Sequence, residues 1–492
     1  MAKIKIGWAE VDMTPNCKVQ LSGQFYERVT DEVESPVTCT AFALECGNEQ
    51  LVICSCDLVS ISDNLMKDVR DIVKSKTDLP TEKIIINAIH THTSISYKKI
   101  KNLVGHITFG SIKKFLPDDI KYEPRVQVSE GMDLNDALNH IVDCVSKAII
   151  SAWDNRKDAY YKAGFGRVPV GMCRRVYYDD GTSRLYGETN NANFDCLESG
   201  NDSGLELIYT FDENKNISGV IANVACPAQV VEHKNFISSD YWGKVKDYLR
   251  AKFGKNFFVL GLCSAAGDQS PRDLIRSVQP SEKQSPSIGG SNVFRHRADP
   301  SMYDVEGLRC IGKRISNEIV SVYEQLDGEY FDESLLIHKT FNIHFPLRKV
   351  SLEEYHQAMK EINEFVLAHR GQNITFFESS KMYSSSGIAK RYITQQSINR
   401  ITEEIHVVRF GDIAIVTNPF ELFLDYGNQI RARSKAKQTF IIQLACGSAG
   451  YLPTEKAEKS GHYSACVSSG FTGHEGGNLL VSETLEKINE IF

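Results

Sequence analysis

The sequence predicts an α/β fold: mixed β-sheets flanked by helices, layered, in one large domain over residues 1–492 with loop insertions. Three observations predict it. Apolar, β-branched runs alternate with amphipathic helical patterns along most of the chain. Phe410-Gly411-Asp412 separates two apolar runs as a hairpin turn would. No Gly/Ser-rich linker divides the chain, so the elements belong together.

The elements follow in order. Leu51 to Cys54 reads as a strand, and Cys54 and Cys56 alternate along it as core thiols. Asp63 is placed to cap a helix that shows Leu65, Val69, Ile72 and Val73 on one face. Lys83 to Ile89 is a second strand. Asp133 is placed to cap a long helix burying Leu134, Leu138, Ile141, Val145 and Ala152. Ile217 to Val224 is strand-like, and Tyr241, Val245 and Leu249 mark the next helix. Phe257 to Leu260 is a short apolar strand, and Leu308, Ile311, Ile315, Ile319 and Val322 lie at helical spacing. Ile405 to Val408 and Ile413 to Val416 are the hairpin arms, and Phe440 to Leu444 is the last clear strand. Two stretches interrupt the pattern. Residues 96–128 are polar and mixed, and 277–300 are rich in Ser, Gly, Pro and Arg. Both are expected to be loops near a site.

Composition narrows the function. A net charge of -7 disfavours nucleic acid as a partner. No apolar run reaches the roughly 18 residues of a membrane span, and Met1 to Gly7 lacks the apolar core of an export signal. The 13 cysteines follow no CxxC repeat and read as reduced thiols. A cytoplasmic location is therefore expected.

Residues able to carry chemistry recur just past the predicted strands, where α/β folds build sites. His90 and His92 follow Lys83–Ile89, and in extended chain residues two apart share a face. Gly267-Asp268-Gln269-Ser270-Pro271-Arg272 follows the strand at Phe257. Glu421 follows Asn418-Pro419-Phe420 and is expected to open a helix, whose N-terminus favours a carboxylate. Tyr451 follows the last strand. Taken singly, each also fits a structural role, as a packed histidine, an Asp turn, a helix start or a loop aromatic.

Together these segments resemble the neutral ceramidases. Gly7-Trp8-Ala9-Glu10-Val11-Asp12-Met13-Thr14-Pro15, followed by Leu21-Ser22-Gly23, is similar to that family's opening motif. His90-Thr91-His92-Thr93-Ser94, Phe236-Ile237-Ser238-Ser239-Asp240, Gly267-Asp268-Gln269-Ser270-Pro271 and Pro419-Phe420-Glu421 resemble later motifs in the same order, as do Tyr451 and Tyr463. The resemblance implies a zinc-dependent hydrolase that cleaves an amide (N-acyl) bond by metal-activated water, with one Zn2+ per chain. It implies His90, Glu421 and Tyr451 as zinc ligands. His92, Arg174, Ser270 and Tyr463 are the implied catalytic residues, and Gly23 and Asp268 line the substrate pocket. Ser270 is either a nucleophile or a hydrogen-bond partner of a substrate hydroxyl.

Two departures matter. The family's second zinc histidine falls here on Cys226, a competent thiolate ligand, with His233 as the competing choice. The chain also ends soon after the catalytic motifs, so the family's C-terminal immunoglobulin-like domain is not expected. The substrate is expected to be a small-molecule acyl or lipid-like compound. The same scaffold acting as an amidase or esterase on a water-soluble acyl or sugar derivative is the first alternative. A catalytically inactive binding protein is the second.

Overall fold

The computed structural model describes residues 1–98, 109–123, 131–276 and 302–492. Three sheets carry the fold. In the first, β1 (Ala2–Asp12), β2 (Thr38–Cys46), β3 (Glu49–Cys56) and β4 (Ile84–Ala88) lie side by side in chain order. In the second, β5 (Tyr160–Arg167), β6 (Gly204–Phe211), β7 (Ile217–Val224) and β8 (Phe258–Cys263) do the same. The third runs β9 (Leu336–Pro346), β10 (Arg400–Phe410), β11 (Ile413–Thr417) and β12 (Gln438–Ile442).

Most neighbours are antiparallel, but each sheet ends in one parallel pair, β3/β4, β7/β8 and β11/β12. Each pair is bridged by a helix: α1 (Asp63–Lys76), α3 (Tyr241–Phe253) or α5 (Leu424–Arg433). Parallel neighbours require such a crossover. The long α2 (Leu134–Asp154) precedes β5, α4 (Asp304–Glu324) precedes β9, and α6 (His474–Ile491) closes the described chain.

Side-chain alternation stacks these elements into four layers. In β3, Leu51 and Ile53 face the central core, while Val52, Cys54 and Cys56 face α1 and α2. The central core joins Trp8, Phe42 and Ile53 of the first sheet to Ile208 and Leu260 of the second and Val408 and Phe440 of the third. Burying one such side chain contributes roughly 1.5–3 kcal/mol. Outside lie α3 and α4 on the second sheet, and α5 and α6 on the third. No helix among the described residues is long and apolar enough to cross a membrane.

Local details adjust the sequence expectations. Asp133 caps α2, its carboxylate accepting from Asn135 N at 2.7 Å. At α1 the cap is Ser62, one residue earlier than expected, because its hydroxyl accepts from Leu65 N. The segment 277–300 lies outside the described residues, as do 99–108 and 124–128 of the other insertion. Residues 109–123 are described. There Ile112 packs with Ile362, Met382 and Ala389 of a small helical layer, and Lys121–Glu123 pairs in parallel with Asn373–Thr375.

Candidate active site

The carboxyl ends of the parallel strands meet. Ala88 N, at the end of β4, donates to Leu444 O beyond β12, and Gln443 N donates to Cys263 O at the end of β8. Ala228 N, beyond β7, donates to Ile89 O, and Gly267 N, beyond β8, donates to Leu422 O beyond β11. Five chain segments from three sheets therefore converge on one place, as ligand sites do in parallel sheets.

His90 and His92 share a face there by a different route from the one expected. His90 is at φ +69°, in the left-handed region, so the pair does not alternate as a strand does. The turn brings the two rings edge to face at 4.9 Å, with the Nε2 atoms 3.4 Å apart. His90 Nδ1 lies 2.7 Å from Val59 O, a pure acceptor, so Nδ1 carries the proton. The lone pair of a neutral His90 is then on Nε2, which faces Glu421 Oε2 at 3.3 Å.

Glu421 does not open a helix. It belongs to a two-residue strand, Glu421–Leu422, that pairs in parallel with Tyr451–Leu452, with Glu421 opposite Tyr451; α5 starts only at Leu424. This register sets the carboxylate beside the phenol. Burial opposes ionisation of Glu421, but His90, the Tyr451 hydroxyl and Arg174 together hold its pKa below the ordinary value. The approach is close enough to need Gly267, where a Cβ would lie 2.7 Å from the Glu421 carbonyl carbon.

Arg174 enters on the Met172–Cys173 strand, which pairs with Gln269–Ser270. Its Nη2 donates to Gly267 O at 2.8 Å and to the Tyr451 hydroxyl at 3.2 Å, and its Nη1 donates to Gln229 Oε1 at 3.4 Å. Its Nε is buried without a hydrogen-bond partner among the described residues. Tyr463 packs edge to face on Tyr451 at 5.6 Å. Gly23, at φ +94°, backs His92 so closely that a Cβ would lie 2.7 Å from His92 Cβ. Ser270 Oγ accepts from the Tyr186 hydroxyl at 3.2 Å and from Arg272 N at 3.3 Å.

Three expected residues have other surroundings. Cys226 Sγ is turned into the apolar core behind the second sheet, among Val170, Val224 and Tyr241. It donates to Val170 O at 3.5 Å, and burial pushes its pKa well up. It is not brought within ligand distance of both His90 and Glu421. His233 stacks on Tyr303 at 5.1 Å, and burial with the Arg272 charge pushes its pKa down to about 3. Asp268 braces the frame: Oδ1 accepts from Leu424 N at 2.9 Å, and Oδ2 accepts from Ser199 Oγ.

The residue that reaches the histidines from the Cys226 segment is Gln229. Its Nε2 lies 2.7 Å from His92 Nε2, and the Arg174 contact to Oε1 sets the amide in that orientation. His92 Nδ1 faces Glu232 Oε2 at 3.7 Å, and Glu232 Oε1 accepts from Arg272 Nη2 at 3.0 Å. Gln229 and Glu232 were not singled out from sequence, whereas Arg272 was, at the end of the Gly267–Arg272 segment. The signal available for the first two was their nearness to Cys226 and His233.

A search of solved structures finds this arrangement of elements in a neutral ceramidase from Pseudomonas aeruginosa and in a ceramidase complexed with C2. Both superpose on 100% of this chain with a TM-score of 0.67 and 15% sequence identity. The alignments cover 75% and 76% of those chains. The fold is that of the neutral ceramidases. No protein-family model and no curated protein sequence matches the chain.

Within this neutral-ceramidase fold the donor set fits a divalent cation. With its Nδ1 proton committed to Val59, a neutral His90 presents the Nε2 lone pair toward Glu421 Oε2 at 3.3 Å, a gap that either a proton on Nε2 or a cation would fill.

Proposed function

We propose that this chain is a metal-dependent hydrolase that cleaves an amide (N-acyl) bond with water. The observation that carries the reading is the pairing of His90 Nε2 with Glu421 Oε2 at 3.3 Å, ringed by His92, Tyr451 and Arg174. Zinc is the metal such nitrogen and oxygen donors suit, and when bound it supplies Lewis acidity toward a carbonyl and toward water. His90, Glu421 and Tyr451 are the residues that would hold it.

The remaining work falls to the chain's own residues. His92 Nε2 faces the site; as its hydrogen bond from Gln229 Nε2 is exchanged for one from the attacking water it takes the water's proton, and then passes it to the leaving amine. Glu232, beside His92 Nδ1, favours the charged ring in between. Gln229 holds that ring in place. Arg174 Nε and the Tyr463 hydroxyl donate to the developing oxyanion, where one preorganised donor is worth about 3 kcal/mol of barrier. Ser270 has Tyr186 and the Arg272 amide as partners, with no histidine on its hydroxyl among its hydrogen bonds, which favours substrate positioning over nucleophilic attack.

The surroundings of His92 support a small, polar acyl compound as a second reading of the substrate. Arg272 is buried over the Tyr303 ring at 4.1 Å and the Tyr186 ring at 5.2 Å, and Arg28 donates to Glu232 O at 2.9 Å. Charged groups so close to the centre suit a polar leaving group better than a hydrocarbon chain.

The test is metal content and turnover of protein purified without added metal. Wild type is compared with His90→Ala and Glu421→Gln on long- and short-chain N-acyl substrates. Each variant is expected to lose one zinc equivalent relative to wild type, together with hydrolysis. A wild type that takes up no zinc at this site and hydrolyses none of the substrates would overturn the reading and leave a binding protein on the ceramidase scaffold.

A further inference from the structure

A second cluster of metal-binding side chains lies away from the candidate active site. Glu404 and His406 sit two residues apart on β10 and so share a face. Cys446 approaches from the turn after β12, at φ +57°, with its backbone N–H donating to Ile86 O at 2.8 Å. Among the described residues this is the one group of three His, Cys or carboxylate donors whose ligand atoms all lie within 4.8 Å of one another.

The hydrogen bonds around the cluster decide where the protons are. His338 Nδ1 lies 3.1 Å from Gln50 O, which only accepts, so Nδ1 carries the proton of a neutral His338. Its Nε2 is then an acceptor and faces His406 Nδ1 at 2.9 Å, which must donate. Thr340 agrees: its hydroxyl proton goes to Glu82 O, leaving its oxygen to accept from the same His406 Nδ1. A neutral His406 therefore presents the bare lone pair of Nε2 to Glu404 Oε1 at 2.9 Å and Cys446 Sγ at 3.4 Å. That lone pair, the carboxylate oxygen and the sulfur converge on one point, where a cation would replace the Cys446 thiol proton as their common partner.

The spacing suits zinc. Zinc–nitrogen and zinc–oxygen bonds of about 2.0–2.1 Å and zinc–sulfur bonds of about 2.3 Å, at tetrahedral angles, put ligand atoms roughly 3.4–3.6 Å apart. The His406 Nε2–Cys446 Sγ separation of 3.4 Å meets that range, and the His406 Nε2–Glu404 Oε1 separation of 2.9 Å is shorter, so the carboxylate moves outward by roughly half an ångström to share an ion. The supporting bonds are also in place. Arg70 fixes the Glu404 carboxylate with bonds of 2.7 and 3.0 Å, and His338 fixes the His406 ring. Glu404 and Cys446 line a cavity of about 680 Å³, which gives an ion a path of entry.

We propose that Glu404, His406 and Cys446 form a second metal site that binds a zinc-class divalent cation through one oxygen, one nitrogen and one sulfur. This site is independent of the proposed catalytic one, where Cys226 is turned away and no thiol takes part. That difference supplies the test. Cobalt(II) is titrated into metal-depleted protein, and the thiolate-to-cobalt charge-transfer absorption is read. Wild type and His90→Ala are expected to show the band at one equivalent per chain, and Cys446→Ser and His406→Gln to lose it. Thermal unfolding of each variant checks that it is folded, and the two substitutions act on different elements, so either can stand if the other does not fold. A wild type without the band, or a folded Cys446→Ser or His406→Gln variant that keeps it at full strength, would overturn the proposal. Hydrolysis is not read, so failure of the catalytic assignment leaves this result interpretable.

Discussion

Gly23 and His92 are in direct contact, with the glycine backbone lying where any side chain would displace the imidazole. A Cβ at Gly23 would fall 2.7 Å from His92 Cβ, and the residue is at φ +94°. Gly23→Ala therefore strains the backbone by roughly 1–2 kcal/mol and pushes the ring out of line. A misplacement of this kind can cost about 10²-fold in rate. The expected outcome in steady-state kinetics is a fall in kcat of that order, with a small fall in the unfolding midpoint and no loss of bound metal.

Cys226 and Gln229 are expected to exchange the roles their residue types suggest. Cys226→Ser puts a hydroxyl among Val170, Val224 and Tyr241 in place of a thiol, and should cost about 1–3 kcal/mol in urea unfolding. It should leave metal content unchanged. Gln229→Ala removes the amide 2.7 Å from His92 Nε2 and should lower kcat roughly 10- to 100-fold, again with metal retained. Loss of zinc from Cys226→Ser would restore the thiolate-ligand expectation.

The adjacent arginines Arg174 and Arg175 point to opposite tasks. Arg175 is fully buried, pairs with Glu198 through Nε and Nη2, and donates from Nη1 to Tyr463 O at 2.8 Å. Arg175→Met leaves a buried carboxylate without its cation and should destabilise the protein by about 3–5 kcal/mol. Adding Glu198→Met should recover part of that loss, measured by denaturant unfolding of both variants.

Glu10 should give the fold a specific acid sensitivity. It accepts from Thr40 and Arg250 and lies 3.1 Å from Lys246, which also faces Asp57 at 3.8 Å. Burial opposes its ionisation, but Lys246 and Arg250 outweigh burial and bring its pKa down from 4.5 to about 2. A depressed folded-state pKa means stability that is present above the unfolded value and is lost as pH falls toward the folded one. The contribution is at most about 3 kcal/mol. The stability gap between wild type and Glu10→Gln should be widest near neutral pH and close between pH 4.5 and 2. A gap that does not change over that window would show that the ion pair is not responsible.

The strands around the candidate site were legible because their periodicity is local. Ile217–Val224 carries its signal within eight residues, and α2 begins behind Asp133 as its cap chemistry predicts. The first strand, Ala2–Asp12, was not read as a strand, because both its faces are partly covered and Lys3 and Lys5 interrupt the apolar run. The capping box of Ser351 and Glu354, which opens the helix Leu352–Ala368, was a local signal that went unread. Glu421 was misread for a physical reason. Its two-residue strand exists only because Tyr451–Leu452 lies beside it, and no short-range pattern announces a partner 30 residues away.

The sequence by itself determined the α/β class, the core faces of the elements and the candidate residues past the strand ends, since these depend on spacing within a few residues. Tertiary structure alone decided which of those residues meet. The left-handed turn at His90 aims its ring at Glu421, and the path after β7 turns Cys226 into the core and Gln229 toward His92. The same packing set Glu404 and His406 against Cys446, 40 residues further along the chain. Such meetings depend on how separate sheets dock, and docking is set by the summed packing of many side chains rather than by any one segment's pattern.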